Sequence, residues 1–424
     1  MAKRMLSRWG QWYSRVFAVE CDHSTDPLYF ALSKTPQERH YDERQAFYEK
    51  LFEGAKCYSV HVCTDDRFQR ALLYEALKNN VIPRLPTGCS VLDAFSFHPD
   101  VSNSLFRGFF IKDATNLPET APILGELVKN SGMSVCTYVR EENSQRWWQH
   151  LLSEAEDGSA AATEKYYVVP SEIPHRHPST LNIMGNDVFY NFEDAYKVME
   201  QCKDIIPVSE ELLKLVGPNL TQKKEGRFPV IVIEGLDATG KTTLTHSLTT
   251  TLDATLLRSP PTCLSPWRPC FDSEPALLRR AFYALGNYIT ASQIAAASRH
   301  SPVIVDRYWH STAAYAIATA TSGKVGNLPS PGSEVYRWPC DLLRPDLVLL
   351  LTVSPEERLR RLSVRGVEKT REEAELEANH LFRNKVEQAY KRVEDPACVV
   401  VDANPPPDQV LQQVLLLIKD KCHL

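Results

Sequence analysis

The apolar residues follow one pattern in the first half of the chain and another in the second. In the first half they alternate or recur at short helical spacing. This pattern predicts strands over residues 16–20, 58–63, 106–112 and 134–139. It predicts helices over residues 43–52, 67–78, 146–156, 188–202 and 210–216, and a loop over residues 157–163. We therefore expect a mixed α/β domain over residues 20–216, and we find no catalytic motif in it.

The second half contains continuous apolar runs of the kind found in strands buried on both faces. These runs cover residues 229–234, 255–257, 303–305, 347–353 and 398–401. Helical segments lie between them, such as residues 274–297 and 371–393. Alternating strands and helices predict a doubly wound parallel five-stranded sheet. The polar residues 217–227 form a natural linker, so we expect the second domain to span residues 228–424.

A complete phosphate-binding loop follows the first of these apolar runs. The motif GxxxxGK[ST] is matched by Gly235, Leu236, Asp237, Ala238, Thr239, Gly240, Lys241 and Thr242. Backbone amides of such a loop hold phosphate oxygens, and the following helix directs its positive end at the same anion. Lys241 is expected to reach the β- and γ-phosphates of ATP, and the Thr242 hydroxyl to ligate Mg²⁺. A GTPase would need Asn-Lys-x-Asp after a strand, whereas residues 384–387 read Asn-Lys-Val-Glu within a predicted helix.

A second group of charged residues follows the run at residues 303–305. Asp306 at a strand end can hold Mg²⁺, directly or through water, and Arg307 can bind a phosphate with two parallel hydrogen bonds. Farther on, Arg365-Gly366 interrupts a predicted helix, and Arg371 follows. Such a break is typical of a closing lid whose arginines act on the transferred phosphoryl group. Three more arginines precede the break, and the pattern leaves open which of them are solvated: Arg358, Arg360 and Arg361.

Composition and charge bear on the possible partners and compartment of the protein. A net charge of −5 gives no basic footprint for direct nucleic-acid binding, and no apolar run is long enough to predict a membrane span. The eleven cysteines are odd in number and include no CxxC pair, which is typical of a reducing compartment. Cys57, His61 and Cys63 share one face of a predicted strand, so they form either a half-buried strand face or part of a metal site.

The first nineteen residues are basic and carry no acidic side chain. Apolar residues recur in them at three- to four-residue spacing, as in an amphipathic helix. These features are typical of a mitochondrial presequence, so we expect residues 1–19 to direct the protein to mitochondria. The alternative is a basic start to the first strand of the domain.

Taken together, these motifs resemble the thymidylate-kinase family of P-loop nucleoside-monophosphate kinases. The resemblance covers about residues 228–424 and includes Arg258-Ser259-Pro260, Phe282, and Asp306-Arg307-Tyr308 with Ser311 and Tyr315. It implies that Phe282 stacks on the acceptor base, and that Asp237 accepts a hydrogen bond from the sugar. It also implies that Arg307 holds the acceptor phosphate with support from Arg258, and that Tyr315 contacts the substrate. Because Ala238 and Thr239 stand where other members have a P-loop arginine, the lid arginines Arg365 and Arg371 would be catalytic.

Two departures from the family pattern concern the acceptor base. Gly286 or Asn287 stands where the family has an arginine, and Ala316 stands where it usually has glutamine. They favour UMP, CMP, dUMP or dCMP over dTMP as acceptor. A dTMP kinase, a deoxynucleoside kinase and a nucleotide-regulated binding protein remain alternatives, although Tyr308 argues against the deoxynucleoside kinase. A homodimer also remains open.

Overall fold

The structure is a computed structural model. It describes residues 12–22, 25–36, 41–115, 118–130, 132–155, 159–217, 226–364 and 378–422. The described residues form two compact units. The first contains the residues up to Asn182 together with Ser322–Asn327, and the second contains Ile183–Thr321 and the residues from Leu328 onward.

Eight antiparallel strands of the first unit close into a barrel in the order β1-β2-β8-β7-β6-β3-β5-β4, with β4 paired to β1. The strands are β1 (Val16–Glu20), β2 (Leu28–Ser33), β3 (Lys56–Val62), β4 (Cys89–Phe97), β5 (Phe106–Asp113), β6 (Met133–Arg140), β7 (Trp147–Glu154) and β8 (Ala160–Pro170). The helices are α1 (Tyr41–Phe52), α2 (Arg67–Ala76) and α3 (Thr120–Val128).

The two faces of the strands contribute to two apolar cores. From β3, Cys57 packs with Phe17 and Cys136 in one core, while Tyr58 and Val60 pack in the other. His61 is also buried, and Cys63 packs beside the first core. Among the described residues no group of three or more His, Cys, Asp or Glu side chains is arranged to hold a metal ion. Cys57 and His61 therefore belong to a buried strand face.

Several predictions for the first unit are wrong in type or position. The helix predicted over residues 146–156 is strand β7, which pairs with β6 and β8. Strands β2 and β4 were not predicted, and β8 begins inside the predicted loop 157–163. The strands and helices predicted near β1, β3, β5, β6, α1 and α2 are confirmed.

The end of the predicted presequence belongs to the folded first unit. Residues 1–11 lie outside the described residues. Trp12–Ser14 form a 3₁₀ turn and Val16–Glu20 form β1, which pairs with both β2 and β4. Trp12 and Phe17 are buried, and the Arg15 guanidinium donates to the Ser96 hydroxyl at 2.7 Å. The amphipathic helix predicted through residue 17 is therefore wrong from residue 12 onward, because this stretch completes the barrel.

The second unit contains the predicted five-stranded parallel sheet, in the order β10-β11-β9-β12-β13. Its strands are β9 (Val230–Gly235), β10 (Thr255–Arg258), β11 (Val303–Asp306), β12 (Leu347–Thr352) and β13 (Val399–Asp402). Its helices are α4 (Phe192–Gln201), α5 (Val208–Val216), α6 (Lys241–Leu252), α7 (Arg268–Asp272), α8 (Ala276–Ala297), α9 (Trp309–Ala320), α10 (Pro355–Val364), α11 (His380–Arg392) and α12 (Pro407–Cys422). β9 and β12 are buried on both faces, as their apolar runs predict.

The boundary between the units lies earlier in the chain than the linker expected at residues 217–227. Helices α4 and α5 pack on α8 and so belong to the second unit. The Phe192 N–H donates to the Asp341 carboxylate at 2.7 Å, and the Tyr190 hydroxyl donates to the Val335 carbonyl at 2.6 Å. α4 begins at Phe192, later than predicted. No described helix is both long and apolar enough to cross a bilayer.

Candidate active site

The candidate site lies at the carboxyl edge of the five-stranded sheet. The parallel register places Arg258 at the end of β10 beside Asp306 at the end of β11. Asp306 also lies beside Ile233, two residues before the end of β9. Gly235 ends β9 next to Leu351 of β12. The phosphate-binding loop and the Asp306-Arg307 pair, about 65 residues apart in sequence, are thus brought together by strand pairing.

The phosphate-binding loop needs glycine where the chain turns away from the sheet. Gly235 has a φ of +144°, and a Cβ at this position would lie 2.6 Å from the Leu351 carbonyl oxygen. Gly240 has a φ of +94° immediately before α6. These backbone conformations and the close approach to β12 exclude ordinary side chains. The loop therefore has the geometry that its sequence motif predicts.

Lys241, the first residue of α6, is buried at the base of the loop. Its Nζ donates to the Leu236 carbonyl at 2.7 Å. Burial, and secondarily the charge of Arg307, lower the pKa of Lys241 to about 8. An ammonium group held in a dry site beside backbone amides is placed to bind phosphate oxygens strongly.

Asp237 and Arg307 connect the loop to the end of β11. Arg307 Nη2 donates to Asp237 Oδ1 at 2.8 Å, and Nη1 donates to the Ser311 hydroxyl at 3.2 Å. Burial raises the pKa of Asp237, but the charges of Arg307 and Lys241 outweigh it, so the net pKa is lowered and the carboxylate stays ionised. Arg307 has a φ of +64°, a strained value for a side-chain-bearing residue and typical of functional sites.

Glu234 is a fully buried carboxylate that the motif analysis passed over. It accepts from the Tyr308 N–H at 2.8 Å and from the Ser311 hydroxyl at 2.6 Å. Tyr390 of α11 donates to it at 3.3 Å. Burial raises the pKa of Glu234, and the bonds from Ser311 and Tyr308 oppose that shift. Because a carboxylate stabilises a helix N-terminus, Glu234 fixes the start of α9 against the strand that carries the loop.

Two of the three arginines before the predicted lid donate hydrogen bonds to backbone carbonyls of the phosphate-binding loop. Arg358 is 2% exposed, and its Nε donates to the Asp237 carbonyl at 3.2 Å. Arg361 donates to the Thr239 and Ala403 carbonyls at 3.3 and 2.7 Å. Arg360 pairs with Glu357 at an exposed position and is the solvated member. The spacing of residues 358 and 361 by one helical turn was the only available signal. Arg365 and Arg371 lie outside the described residues.

Asp306 and Thr242 are the residues predicted to hold Mg²⁺. Asp306 Oδ1 is buried and has no hydrogen-bond partner among the described residues. Thr242, the second residue of α6, is exposed. A buried carboxylate oxygen without a donor is a suitable ligand for a hard cation that also binds substrate phosphates. The residues therefore fit the ion.

The residues predicted to bind the acceptor differ in how exposed they are. Arg258 is exposed at the end of β10. Tyr315 is half-buried, with the Arg307 guanidinium 5.9 Å above its ring. Phe282 is 0% exposed and stacks on Phe271 with ring centroids 4.5 Å apart. In this structure, therefore, Phe282 presents no open ring face to a base.

Comparison with known proteins finds relatives among nucleotide kinases. The thymidylate kinase family model matches residues 272–414. The human protein named UMP-CMP kinase 2, mitochondrial, is 50% identical over 317 residues, which cover 74% of this chain and 70% of that protein. A thymidylate kinase from Xanthomonas oryzae pv. oryzae is 33% identical over 204 residues, or 45% of this chain and 82% of that protein. A solved thymidylate kinase from Candida albicans has 23% identity and a TM-score of 0.36, over 46% of this chain and 93% of that one.

The fold and the site define a P-loop nucleotide kinase. The chain belongs to the thymidylate kinase family and is a nucleoside-monophosphate kinase, for which ATP is the phosphoryl donor.

Proposed function

We propose that this protein transfers the γ-phosphoryl group of ATP to UMP, CMP, dUMP and dCMP. The observation that carries the proposal is the 2.8 Å pair between Arg307 and Asp237. It holds a phosphate-binding arginine beside the loop for the donor, as transfer from one phosphate to another requires. The acceptor bases are supported by the 50% identity to a protein named UMP-CMP kinase 2 and by Gly286 or Asn287 in place of the family's arginine.

The chain's own residues then divide the work. Lys241 and the loop amides bind the β- and γ-phosphates, while Arg307 orients the acceptor phosphate for in-line attack. Asp237 accepts a hydrogen bond from the acceptor sugar, and Arg258 and Tyr315 complete the acceptor site. The family resemblance assigns Arg365 and Arg371 to the transferred phosphoryl group, where lid arginines would offset charge and exclude water. Thr242 and Asp306 would hold Mg²⁺, which would supply positive charge against the phosphates of the donor.

A coupled ADP-release assay with purified protein tests the proposal. UMP, CMP, dUMP, dCMP and dTMP are compared at equal concentration with ATP. We expect transfer to the four uracil and cytosine nucleotides and a lower kcat/KM for dTMP. A higher kcat/KM for dTMP would make the protein a dTMP kinase. Slow ATP hydrolysis without transfer to any acceptor would favour a nucleotide-regulated binding protein.

We propose a mitochondrial location, which the name of the human relative and the basic start of the chain support. Fluorescent reporters carrying residues 1–11 or 1–19 test it, and a diffuse cytosolic signal from both would contradict it. A homodimer stays a prediction that analytical ultracentrifugation can check.

A further inference from the structure

A network of buried hydrogen bonds lies on the acceptor side of the second unit. Asn287 of α8 is 1% exposed. Its Oδ1 accepts from the Ser259 hydroxyl at 2.7 Å, and its Nδ2 donates to the Thr312 hydroxyl at 3.0 Å. Ser259 directly follows Arg258, and Thr312 follows the Asp306-Arg307-Tyr308 motif. This network therefore joins the two segments that carry the predicted acceptor-binding residues.

Thr312 is the member of this network that lies nearest the candidate site. Most of α9 is buried, but Ser311, Thr312 and Tyr315 are only half-buried. Arg307 bonds to Ser311 and lies over the ring of Tyr315. A nucleotide whose phosphate binds Arg307 would thus extend its base along the face that carries Thr312.

Gly286 lies where α8 comes close to the segment that follows β10. A Cβ at Gly286 would lie 3.2 Å from Pro260 Cβ and 3.4 Å from Leu264 Cδ1. The helix therefore approaches the segment after β10 too closely for a long side chain. The neighbouring Asn287 amide is instead held between Ser259 and Thr312.

We propose that Ser259, Asn287 and Thr312 form a reversible hydrogen-bond relay that lets one pocket accept both uracil and cytosine. The proposal rests on the pyrimidine-monophosphate kinase function above. A hydroxyl can donate or accept, so an amide between two hydroxyls can be satisfied in either of two orientations related by a 180° flip.

The two orientations match the two bases. In the orientation of the structure, Asn287 donates to Thr312, which leaves the Thr312 O–H free to donate to N3 of cytosine. After the flip, Thr312 donates to Asn287 Oδ1, and its lone pair can accept the N3–H of uracil. The Ser259 hydroxyl then accepts from Asn287 Nδ2, so both polar groups of the amide keep a hydrogen-bond partner.

Asn287→Asp tests the relay because an ionised carboxylate only accepts. Thr312 must then donate to residue 287, and only uracil finds a match. We expect the ratio of kcat/KM for UMP to that for CMP to rise about tenfold, the effect of one unmatched hydrogen bond. We expect this rise in assays at pH 6, 7 and 8, and dUMP and dCMP should show the same shift. Since both acceptors are assayed on one preparation, partial misfolding cancels in the ratio.

A second variant completes the test. Thr312→Val removes the group that meets the base, so kcat/KM should fall for UMP and CMP alike. An Asn287→Asp ratio within twofold of wild type at every pH would overturn the relay. So would a Thr312→Val protein that keeps full kcat/KM, which decides the question even if the Asp variant does not fold. Wild-type protein that transfers to neither base would refute the proposed function instead.

Discussion

The charge on Lys241 depends on what lies next to it. Burial and the nearby Arg307 lower its pKa to about 8, so the free enzyme loses this proton as pH rises through that value. Bound phosphates favour the charged form and hold the proton to higher pH. We therefore expect kcat/KM for ATP to fall above about pH 8, while kcat falls only at higher pH. A pH profile at saturating acceptor checks this, and a flat kcat/KM between pH 7 and pH 9 would contradict it.

Asp306 and Arg307 are adjacent, but we assign them to different nucleotides: Asp306 to ATP with its metal ion, and Arg307 to the acceptor. Asp306→Asn should lower kcat with every acceptor, because the buried Oδ1 no longer offers a charged ligand to the metal ion. Arg307→Ala should raise the acceptor KM steeply and largely spare ATP binding. Loss of one charged hydrogen bond to phosphate corresponds to about 1.5–3 kcal/mol, or roughly 10–150-fold. Steady-state kinetics with each substrate varied in turn distinguishes the two, and an ATP-specific defect in Arg307→Ala would mean that the two sites are reversed.

Motif residues could be predicted from the sequence, whereas their supports could not. The loop from Gly235 to Thr242 is recognisable because phosphate binding demands fixed spacing along one stretch of chain. Glu234 and Arg358 make their contacts from buried positions. Which positions are buried depends on elements far away in sequence, so no local motif indicates them. In the sequence, Asn287 stands out only as a possible departure from the family pattern, and its bonds to Ser259 and Thr312 depend on the packing of α8.

At the scale of elements, α10 is anchored to the phosphate-binding loop through its arginines. Arg358 offers the clearest test, because both Nη atoms are buried without a hydrogen-bond partner among the described residues. Arg358→Met should lower kcat/KM for ATP by about tenfold or more, since the Asp237 carbonyl loses its charged donor. It should not lower the melting temperature, because an incompletely paired buried cation is removed.

Arg360→Met is the matched control for this prediction. Arg360 is two residues away on the same helix, exposed, and paired only with Glu357 among the described residues. Both activity and melting temperature should change little. Equal kinetic effects of the two substitutions would show that α10 acts through its overall charge and not through contact with the loop.

The elements of the second unit were predictable and several in the first were not. Parallel strands buried on both faces leave unbroken apolar runs, and all five were found. In β7 the apolar pairs Trp147-Trp148 and Leu151-Leu152 are four residues apart, which is helical spacing. Pairing with β6 and β8 overrides that local pattern. β4 pairs with β1 far away in sequence, and no local pattern indicates such a pairing.

At the scale of the whole molecule, the boundary between the units at residue 183 decides which fragment should fold and keep kinase activity. A protein of residues 183–424 retains α4 and α5 on α8, whereas residues 221–424 would expose the face that they cover. We expect the longer fragment to keep transfer activity, and the shorter one to melt more than about 5 °C lower or to aggregate. Calorimetry and the ADP-release assay on both fragments check this. A folded longer fragment that binds ATP but transfers nothing would mean that the first unit contributes to catalysis.

Glu234 binds the start of α9 from the strand that leads into the phosphate-binding loop. In addition to strand pairing and the Asp237–Arg307 pair, this one buried side chain holds the donor half and the acceptor half of the site at a fixed separation. A shift in the path of either backbone would leave this carboxylate without a donor, which is costly in the interior. Over evolutionary time neither half can drift alone. We expect the two motifs to be inherited as a unit, with base preference changing through neighbours such as Asn287 that leave the separation untouched.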